Sequence, residues 1–184
     1  MVRKLEIKEL GKLYRKHIKR DFPPIERAPC FVIKRNMKNN VQEGLIYVNK
    51  NEELGYSINS VIGEVVLISL FAVFNGNRGS GIGTKFLEEI IKYYDNKRMI
   101  IVEVEKPENA KSYEEKSVCK KRISFYEKQV FEIRKDIEYS IFGLPMYLMV
   151  YSKEKFQKEE IINQMKIVYG LILRSRLQNM LKFG

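Results

Sequence analysis

The segment Val65–Tyr94 constrains the fold most, because it joins a buried strand, a glycine-rich turn and an amphipathic helix. Residues 65–73 read VVLISLFAV, a nearly unbroken apolar run that predicts a strand covered on both faces. From Phe86 onward, apolar residues recur at helical spacing, with charged residues on the other face. A glycine loop between a strand and a helix exposes backbone N–H groups, so this segment predicts an anion site.

The length and hydrophobic content predict one domain with an appended element. The chain has 184 residues, 45% of them hydrophobic. We expect a domain over residues 1–152 and a C-terminal helix over residues 153–184, packed on the domain or on a second copy, in a monomer or homodimer. The apolar runs are too short to span a bilayer, and the charged N-terminus lacks the apolar core of a secretion signal. A cytoplasmic protein without a membrane partner is therefore expected.

Metal chemistry is not expected from this sequence. Its two cysteines, Cys30 and Cys119, fit no metal-ligand spacing, and His17 is its single histidine. His17 lies on or near the apolar stripe of a basic helix predicted over residues 9–20, which favours a packed histidine over a catalytic one. Neither cysteine has a histidine beside it in sequence to activate the thiol, which disfavours a covalent enzyme intermediate.

The formal charge of +11 permits two explanations. A strongly basic chain suits an anionic partner, either nucleic acid or a polyphosphate cofactor. Lysine, isoleucine and asparagine are also abundant throughout, as a compositional bias would produce. Because no long block of lysine and arginine concentrates the charge, composition is the favoured explanation, and no specific nucleic-acid partner is expected.

The remaining segments predict a mixed fold of the α/β (α+β) class. A hairpin built on Asn49–Asn51 precedes the strand at 65–73, so three consecutive strands form an antiparallel meander. A strand at 99–105 follows the glycine loop and its helix, which gives a right-handed parallel crossover in a mainly antiparallel sheet. The other predicted elements are a polar loop or short exposed helix at 106–118, a helix at 120–129, strands at 131–133 and 146–151, and a long helix at 154–182.

The proline-rich segment DFPPIERAP, residues 21–29, allows two interpretations. Its prolines end the preceding helix and favour a structural corner. With Glu26 turned inward, the same segment would form one wall of a substrate pocket.

Two phosphate-binding motifs fail at specific positions of the loop. A nucleotide-triphosphate loop separates its two glycines as Gly76 and Gly81 are separated, but it needs Lys and Ser or Thr directly after the second, where this chain continues Ile-Gly. A dinucleotide fingerprint requires a third glycine at the position of Thr84. Both types of nucleotide site are therefore excluded.

A third motif fits. RGSGIG at residues 78–83 resembles the R-x-x-G-x-G/A loop of the GNAT-type N-acetyltransferases, which grips the pyrophosphate of acetyl-coenzyme A. Residues 125–131, FYEKQVF, resemble the second signature of that family, F-Y-x-k-x-G-F. Val130 stands where the family has glycine, and the polar stretch 106–118 is an insertion. The resemblance covers roughly residues 3–151 in element order, with specific motifs at these two places only.

The resemblance implies a GNAT-like fold and acetyl-coenzyme A as co-substrate. Backbone N–H groups of the loop would bind the pyrophosphate, the Ser80 and Thr84 hydroxyls would add donors, and Arg78 and Lys85 would serve the outer phosphates. The strand before the loop would pair with the pantetheine arm. The cofactor-binding residues expected from the family are Phe71, Ala72, Val73, Arg78, Gly79, Ser80, Gly81, Ile82, Gly83 and Thr84.

The resemblance also implies catalytic candidates. Tyr126 would face the coenzyme sulfur and donate to the leaving thiolate, the alternative being a core tyrosine. Glu103 and Glu105 are the nearest acidic candidates for the base, although a solvated strand end, a water relay or an already neutral amine fits as well. The function implied is direct acetyl transfer to a primary amine. A small-molecule acceptor is slightly favoured over a protein. The alternatives are a non-catalytic acyl-coenzyme A-binding module and a nucleic-acid-binding protein.

Overall fold

A computed structural model describes residues 1–173, 177 and 179–184. The chain divides into two compact units, the first made of residues 1–63 and 68–95 and the second of residues 64–67 and 96–184. Among the described residues, no helix combines the length and the apolar character needed to cross a bilayer.

The first unit contains four strands with helices between and after them. In chain order these are β1 (Val2–Lys4), α1 (Ile7–Leu13), a π-helical segment (Tyr14–Ile18), α2 (Lys19–Asp21), α3 (Cys30–Lys38), β2 (Gln42–Asn49), β3 (Glu52–Ile62), β4 (Val65–Val73) and α4 (Ile82–Tyr93). The strands lie in the order β1-β2-β3-β4, and β1–β2 and β2–β3 are antiparallel. Three residues of β4, Val65–Leu67, belong to the second unit.

Apolar side chains cover both faces of these strands. On one face, helices α1 and α3 contribute to a cluster of Leu10, Leu13, Tyr14, Ile18, Ile33 and Met37 with Ile46, Tyr56, Ile58, Leu70 and Ala72 of the strands. On the other face, Phe86 of α4 stacks between Tyr47 and Phe71, with ring centroids 5.3 and 5.0 Å away. The predicted strand at 65–73 is confirmed, and it is covered on both faces as its apolar run requires.

The second unit contains a sheet and two long helices, one between β5 and β6 and one between β8 and β9. Its elements after the start of β4 are β5 (Met99–Glu105), a 3₁₀ turn (Pro107–Asn109), α5 (Tyr113–Glu127), β6 (Glu132–Ile133), β7 (Tyr139–Ile141), β8 (Leu144–Ser152), α6 (Lys158–Ile172) and β9 (Leu181–Phe183). The strand order is β4-β5-β8-β7-β9, with β6 also paired to β8. β4 and β5 are parallel, whereas β5–β8, β6–β8, β7–β8 and β7–β9 are antiparallel.

The predicted fold class is confirmed: the sheet is mainly antiparallel, with a parallel crossover through α4. The hairpin between β2 and β3 is also confirmed. Its two-residue turn places Lys50 and Asn51 at positive φ values of 48° and 66°, the conformation that twists a tight hairpin correctly.

The predicted helix over residues 154–182 is wrong in its extent. Helix α6 ends at Ile172, and Leu181–Phe183 form β9, which pairs with β7. The part of this prediction that falls on residues 174–176 and 178 lies outside the described residues. The apolar spacing of a helix continues in the sequence past the end of α6. The last residues nevertheless form a strand, because they pair with β7, which is distant in sequence.

The helix predicted at 120–129 begins earlier, at Tyr113, so the polar stretch 106–118 is only partly a loop. Ser112 caps this helix, because its hydroxyl accepts the backbone N–H of Glu115 at 3.1 Å. Glu115 in turn accepts the backbone N–H of Lys111 at 2.7 Å. The Ser-x-x-Glu spacing is a helix-start signal that the composition of the stretch obscured.

Helix α5 ends in a tight left-handed turn at Val130. The N–H of Phe131 donates to the Tyr126 carbonyl at 3.1 Å, and the N–H of Val130 donates to the Glu127 carbonyl at 3.0 Å. This pair of hydrogen bonds is a Schellman motif, which requires a left-handed residue, and Val130 has φ +63°. The rings of Tyr126 and Phe131 pack across the turn at 5.4 Å. The departure from the family motif is therefore a valine in a conformation that favours glycine.

Val130→Gly is expected to stabilise the protein by about 1 kcal/mol, which raises the thermal midpoint by roughly 2–4 °C. A β-branched side chain is strained at this φ, and the valine is 74% exposed, so little packing is lost. Thermal unfolding followed by circular dichroism measures the change. Val118→Gly, at an exposed valine inside the same helix, is the matched control and should destabilise, because its backbone is right-handed. A loss of stability in Val130→Gly would contradict the conclusion that Val130 is strained in a left-handed conformation.

Candidate functional site

The site begins at the loop between β4 and α4, in the first unit. Gly76, Gly79 and Gly81 have φ values of +93°, +82° and +77°, which glycine adopts without strain. A Cβ added at any of the three would meet no atom within 4 Å, so the loop surface is open. Ser80 tightens the turn by donating its hydroxyl to the Asn77 carbonyl at 2.7 Å. The glycines that marked this loop in the sequence therefore occupy left-handed backbone positions, which other residues adopt only with strain.

Helix α4 presents unpaired N–H groups to this open loop. Its N-cap residue is Gly81, which offers no side-chain cap, and the first main-chain bond of the helix runs from the Lys85 N–H to the Gly81 carbonyl at 3.2 Å. The N–H groups of Ile82, Gly83 and Thr84 precede that bond, so the helix itself does not use them. Together with the helix dipole they form a site for an anion.

Arg78 folds back across the base of the loop. Its Nε donates to the carbonyl of Val73, the last residue of β4, at 3.3 Å. Its Nη2 lies 3.4 Å from Oδ1 of Asp21, at the end of helix α2. The side chain is 59% exposed, so one edge of the guanidinium is held by the protein while the other remains accessible. The five-residue spacing between Val73 and Arg78 allows this return contact.

Asp21 is a site residue that the sequence analysis did not identify. Its carboxylate is only 3% exposed and has three donors: Arg78, the Nε of Arg20 at 3.2 Å and the hydroxyl of Tyr56 at 3.0 Å. Burial and the neighbouring Asp21 charge raise the pKa of Tyr56 well above its usual value, so its phenol stays a donor. Nothing local in the sequence marks Asp21, because its partners are distant strands and loops. Glu26, proposed for an inward role, is exposed instead.

His17 packs against the start of the loop. Its ring centroid lies 4.3 Å from that of Phe74, and its Nδ1 is 3.3 Å from Nη2 of Arg20. Partial burial and then the Arg20 charge lower the pKa of His17, so the imidazole is neutral near pH 7. This confirms the expectation of a packed, edge-exposed histidine.

The other predicted cofactor residues flank the loop within the same unit. Phe71, Ala72 and Val73 end β4, with Ala72 and Val73 buried and Phe71 stacked on Phe86. Thr84 lies in the first turn of α4 and is half-buried, while Lys85 beside it is exposed. The first unit thus brings the whole predicted loop set together along one strand, one turn and one helix start.

In the second unit, Tyr126 lies at the end of α5 inside an aromatic cluster. Its ring contacts Phe125 at 5.1 Å and Phe131 at 5.4 Å, and Phe131 contacts Tyr151 at 5.6 Å. Burial raises the pKa of Tyr126 to about 12. Within the described part of the chain its hydroxyl has no hydrogen-bond partner, so this phenol can donate to another molecule.

Glu103 lies in the middle of β5 and accepts two phenols. Tyr139 of β7 donates to Oε1, and Tyr169 of α6 lies 2.9 and 2.7 Å from the two carboxylate oxygens. Burial raises the pKa of Glu103, and the hydrogen bonds from the two tyrosines act against that rise. For Glu103, the interpretation as a solvated strand end is therefore wrong. Glu105, the second acidic candidate, is ion-paired with Arg122 of α5.

Cys119 is not arranged as a nucleophile. Cys119 is 8% exposed within α5, and burial raises the pKa of its thiol. Cys30 is half-buried in the first residue of α3. A thiol held protonated by burial is a poor nucleophile near neutral pH.

Comparison by sequence finds no match to a protein-family model or to a curated protein. Comparison of structures does. A Bacteroides thetaiotaomicron protein assigned to the GNAT family of acetyltransferases superposes with a TM-score of 0.77 at 22% identity, covering 94% of this chain and 98% of the other.

Two further structures extend this likeness. Arabidopsis thaliana NAA60 in complex with acetyl-CoA has a TM-score of 0.59 at 16% identity, covering 83% of this chain and 98% of its own. A spermidine N-acetyltransferase from Vibrio cholerae has a TM-score of 0.60 at 12% identity, covering 87% and 99% of the two chains. The architecture that the sequence motifs implied is thus found over nearly the whole chain, which has the fold of the GNAT acetyltransferases.

Proposed function

We propose that this protein is an N-acetyltransferase that moves acetyl from acetyl-coenzyme A directly to a primary amine. The open glycine loop at the start of α4 carries the proposal, because it offers several backbone donors at one place and no side chain blocks them. The GNAT fold supports the same co-substrate, since one protein of that fold is solved with acetyl-CoA.

The residues of the loop fit a pyrophosphate. The N–H groups of Ile82, Gly83 and Thr84 would bind one phosphate. The hydroxyl of Thr84 would add a side-chain donor at the same helix start. Arg78 would neutralise the charge with Nη1, the guanidinium nitrogen for which the described residues provide no acceptor. Asp21 would act as a positioning residue, because it holds Nη2 and so fixes the plane of the guanidinium.

In the proposed reaction, the amine nitrogen bonds to the acetyl carbonyl carbon, the carbon–sulfur bond breaks, and coenzyme A leaves as a thiolate. Tyr126 would donate to that sulfur, a role that follows from the motif at residues 125–131. A pKa of about 12 makes its phenol a weaker acid than a free thiol, whose pKa is about 8.5. A hydrogen bond to the thiolate is therefore favoured over complete proton transfer.

The proton lost by the amine needs an acceptor. Glu103 stays the proposed base, and the pKa raised by burial would make its carboxylate more basic than an ordinary one. Both of its oxygens already accept phenolic hydroxyls, so water, or an amine that arrives neutral, is the competing route. The acceptor is proposed to be a small-molecule amine. Solved structures of this fold include a spermidine N-acetyltransferase and a ribosomal-protein-S18-alanine N-acetyltransferase, so the amines tested include short peptides as well.

The second candidate is a module that binds acyl-coenzyme A without catalysis. It would use the same loop, so binding alone does not separate the two proposals. Amine-dependent release of the coenzyme thiol does, because only the enzyme breaks the thioester.

A thiol-release assay with acetyl-coenzyme A and a panel of polyamines, aminoglycosides and short peptides is expected to show turnover with at least one amine. Gly81→Glu should abolish both turnover and coenzyme A binding by calorimetry, because its carboxylate would enter the anion site at a left-handed position. Gly63→Glu is the matched control, since Gly63 is also left-handed and has open space around its missing Cβ. Tight binding without release by any amine would favour the non-catalytic module, and undiminished binding by Gly81→Glu would exclude this loop as the coenzyme site.

Asp21→Asn should weaken coenzyme A binding by about fivefold, equivalent to about 1 kcal/mol, because Arg78 loses the charge that orients it. Calorimetric titration of coenzyme A measures the change. Tyr56→Phe removes another donor to the same carboxylate but keeps the Arg78 contact, so its effect should be smaller. In an Arg78→Ala background, Asp21→Asn should have no further effect; an equal loss with and without Arg78 would contradict the positioning role.

Tyr126→Phe should lower kcat by about tenfold or more while the KM for acetyl-coenzyme A changes by less than about twofold. Because the pKa of Tyr126 is about 12, its phenol stays protonated from pH 6 to pH 10, so both profiles of kcat against pH should have the same shape. Steady-state kinetics over this range test both statements. Tyr113→Phe, at an 83% exposed tyrosine of the same helix, should behave as the parent protein. An unchanged kcat in Tyr126→Phe would remove Tyr126 from the mechanism.

A further inference from the structure

Most of the positive charge of the chain lies in one stretch near its beginning. Residues 7–38 hold ten lysines and arginines against three acidic residues, a net charge of +7 out of the +11 of the whole chain. In the structure these residues form the helical layer of the first unit, from α1 through α3. We call this surface the basic layer.

One row of the basic layer lies on the stretch from α1 to α2. Lys8, Lys12, Arg15 and Lys19 recur every three or four residues along this stretch, and all are exposed. The π-helical turn at Tyr14–Ile18 shifts Lys19 around the helix axis relative to Lys8. The opposite face carries the buried residues of the stretch, from Leu10 to Ile18.

A second row lies on α3. Lys34 and Lys38 are exposed one turn apart, while Ile33 and Met37 enter the same hydrophobic cluster that buries α1. Both helices therefore cover the same face of the strands, and both turn their cations outward. Phe31, 66% exposed, precedes Lys34 by one turn and lies on the same side of α3.

Most of these charges are not neutralised. Within the part of the chain that the structure describes, no salt bridge involves Lys12, Arg15, Lys16, Lys19, Lys34 or Lys38. Two of the three acids of the layer are paired with other cations. Glu9 is paired with Arg3, and Asp21 is buried against Arg20 and Arg78. Lys8 alone among the first row has a partner, Glu6.

We propose that the basic layer binds the phosphate backbone of a nucleic acid without reading its sequence, with a preference for single strands. Rows of unpaired cations are what a phosphate backbone requires. The isolated aromatic ring of Phe31 suits stacking of one unpaired base. This role goes beyond acetyl transfer and does not depend on it.

The composition of the layer favours nucleic acid over a protein or a lipid surface. No large apolar side chain is exposed between Ile7 and Asp21, because the apolar face is buried in the core. Protein partners are held mainly by buried apolar and aromatic anchors, and membrane-surface helices insert an apolar face between lipids. Ile25 and Phe31 are too few to serve either purpose.

Fluorescence anisotropy with a generic 20-nucleotide RNA, the matching single-stranded DNA and a DNA duplex tests the proposal on the full chain. Binding is expected to weaken with salt, with a slope of log K against log salt of about −3 for four phosphate contacts on a single strand. Lys12→Glu, Arg15→Glu, Lys16→Glu and Lys19→Glu combined should reduce affinity by about 100-fold. Phe31→Ala should weaken single-strand binding more than duplex binding.

The matched control combines Lys116→Glu, Lys120→Glu, Lys121→Glu and Lys155→Glu, four exposed lysines of the second unit. It changes the net charge equally and should leave nucleic-acid affinity within about threefold. Circular dichroism establishes that each variant is folded. If the glutamate variant unfolds, glutamine substitutions at Lys12, Arg15, Lys16 and Lys19 replace it. Equal losses in both sets, no binding at 50 mM salt, or equally tight binding to poly-glutamate or to phosphatidylserine vesicles would overturn the proposal.

Discussion

Phe86 is the side chain on which the placement of the candidate site depends. Fully buried, it stacks between Tyr47 of β2 and Phe71 of β4, and burial of such a ring contributes about 2–3 kcal/mol. Gly55 of β3 makes room for it, since a Cβ there would lie 3.2 Å from the ring and 2.7 Å from the Ala72 carbonyl. Three neighbouring strands therefore share one helical aromatic residue. Because α4 starts four residues before Phe86, this packing also fixes the first turn of the helix and its free N–H groups.

Polar contacts extend that order from the sheet to the loop. Asp21 is desolvated, which is unfavourable for a carboxylate unless donors surround it, and here a phenol and two guanidinium groups do so. Each donor comes from a different part of the chain: the end of a helix, the middle of a strand and the glycine loop. The glycines leave the loop backbone free to adopt left-handed angles, and Arg78 restricts it again through its side chain. The loop is thus open to an anion and still held at its base.

Features that depend on neighbouring residues could be predicted from the sequence, whereas features that depend on residues far apart in the chain could not. The strand, glycine loop and helix at 65–94 were predictable because their signals are local: an apolar run, glycines at the turn and a helical stripe. Asp21 was not, since its partner Arg78 is 57 residues away. The end of α6 was misplaced because β9 pairs with β7, a tertiary choice that apolar spacing does not encode. Val130 lies between these cases. The motif marked a missing glycine, and the structure supplied the left-handed turn that explains why glycine belongs there.

The π-helical segment Tyr14–Ile18 has a consequence for how this chain can vary in length. A π turn accommodates one residue more than an α turn, so it advances everything after it around the helix axis. Loss of a single residue here would restore ordinary winding and swing Asp21 by about 100°. The carboxylate would then leave both Tyr56 and Arg78, although every side chain of the site would still be present. The π-helical segment therefore sets the direction in which Asp21 leaves the helix. It should tolerate substitution of its exposed residues far better than deletion of any one of them.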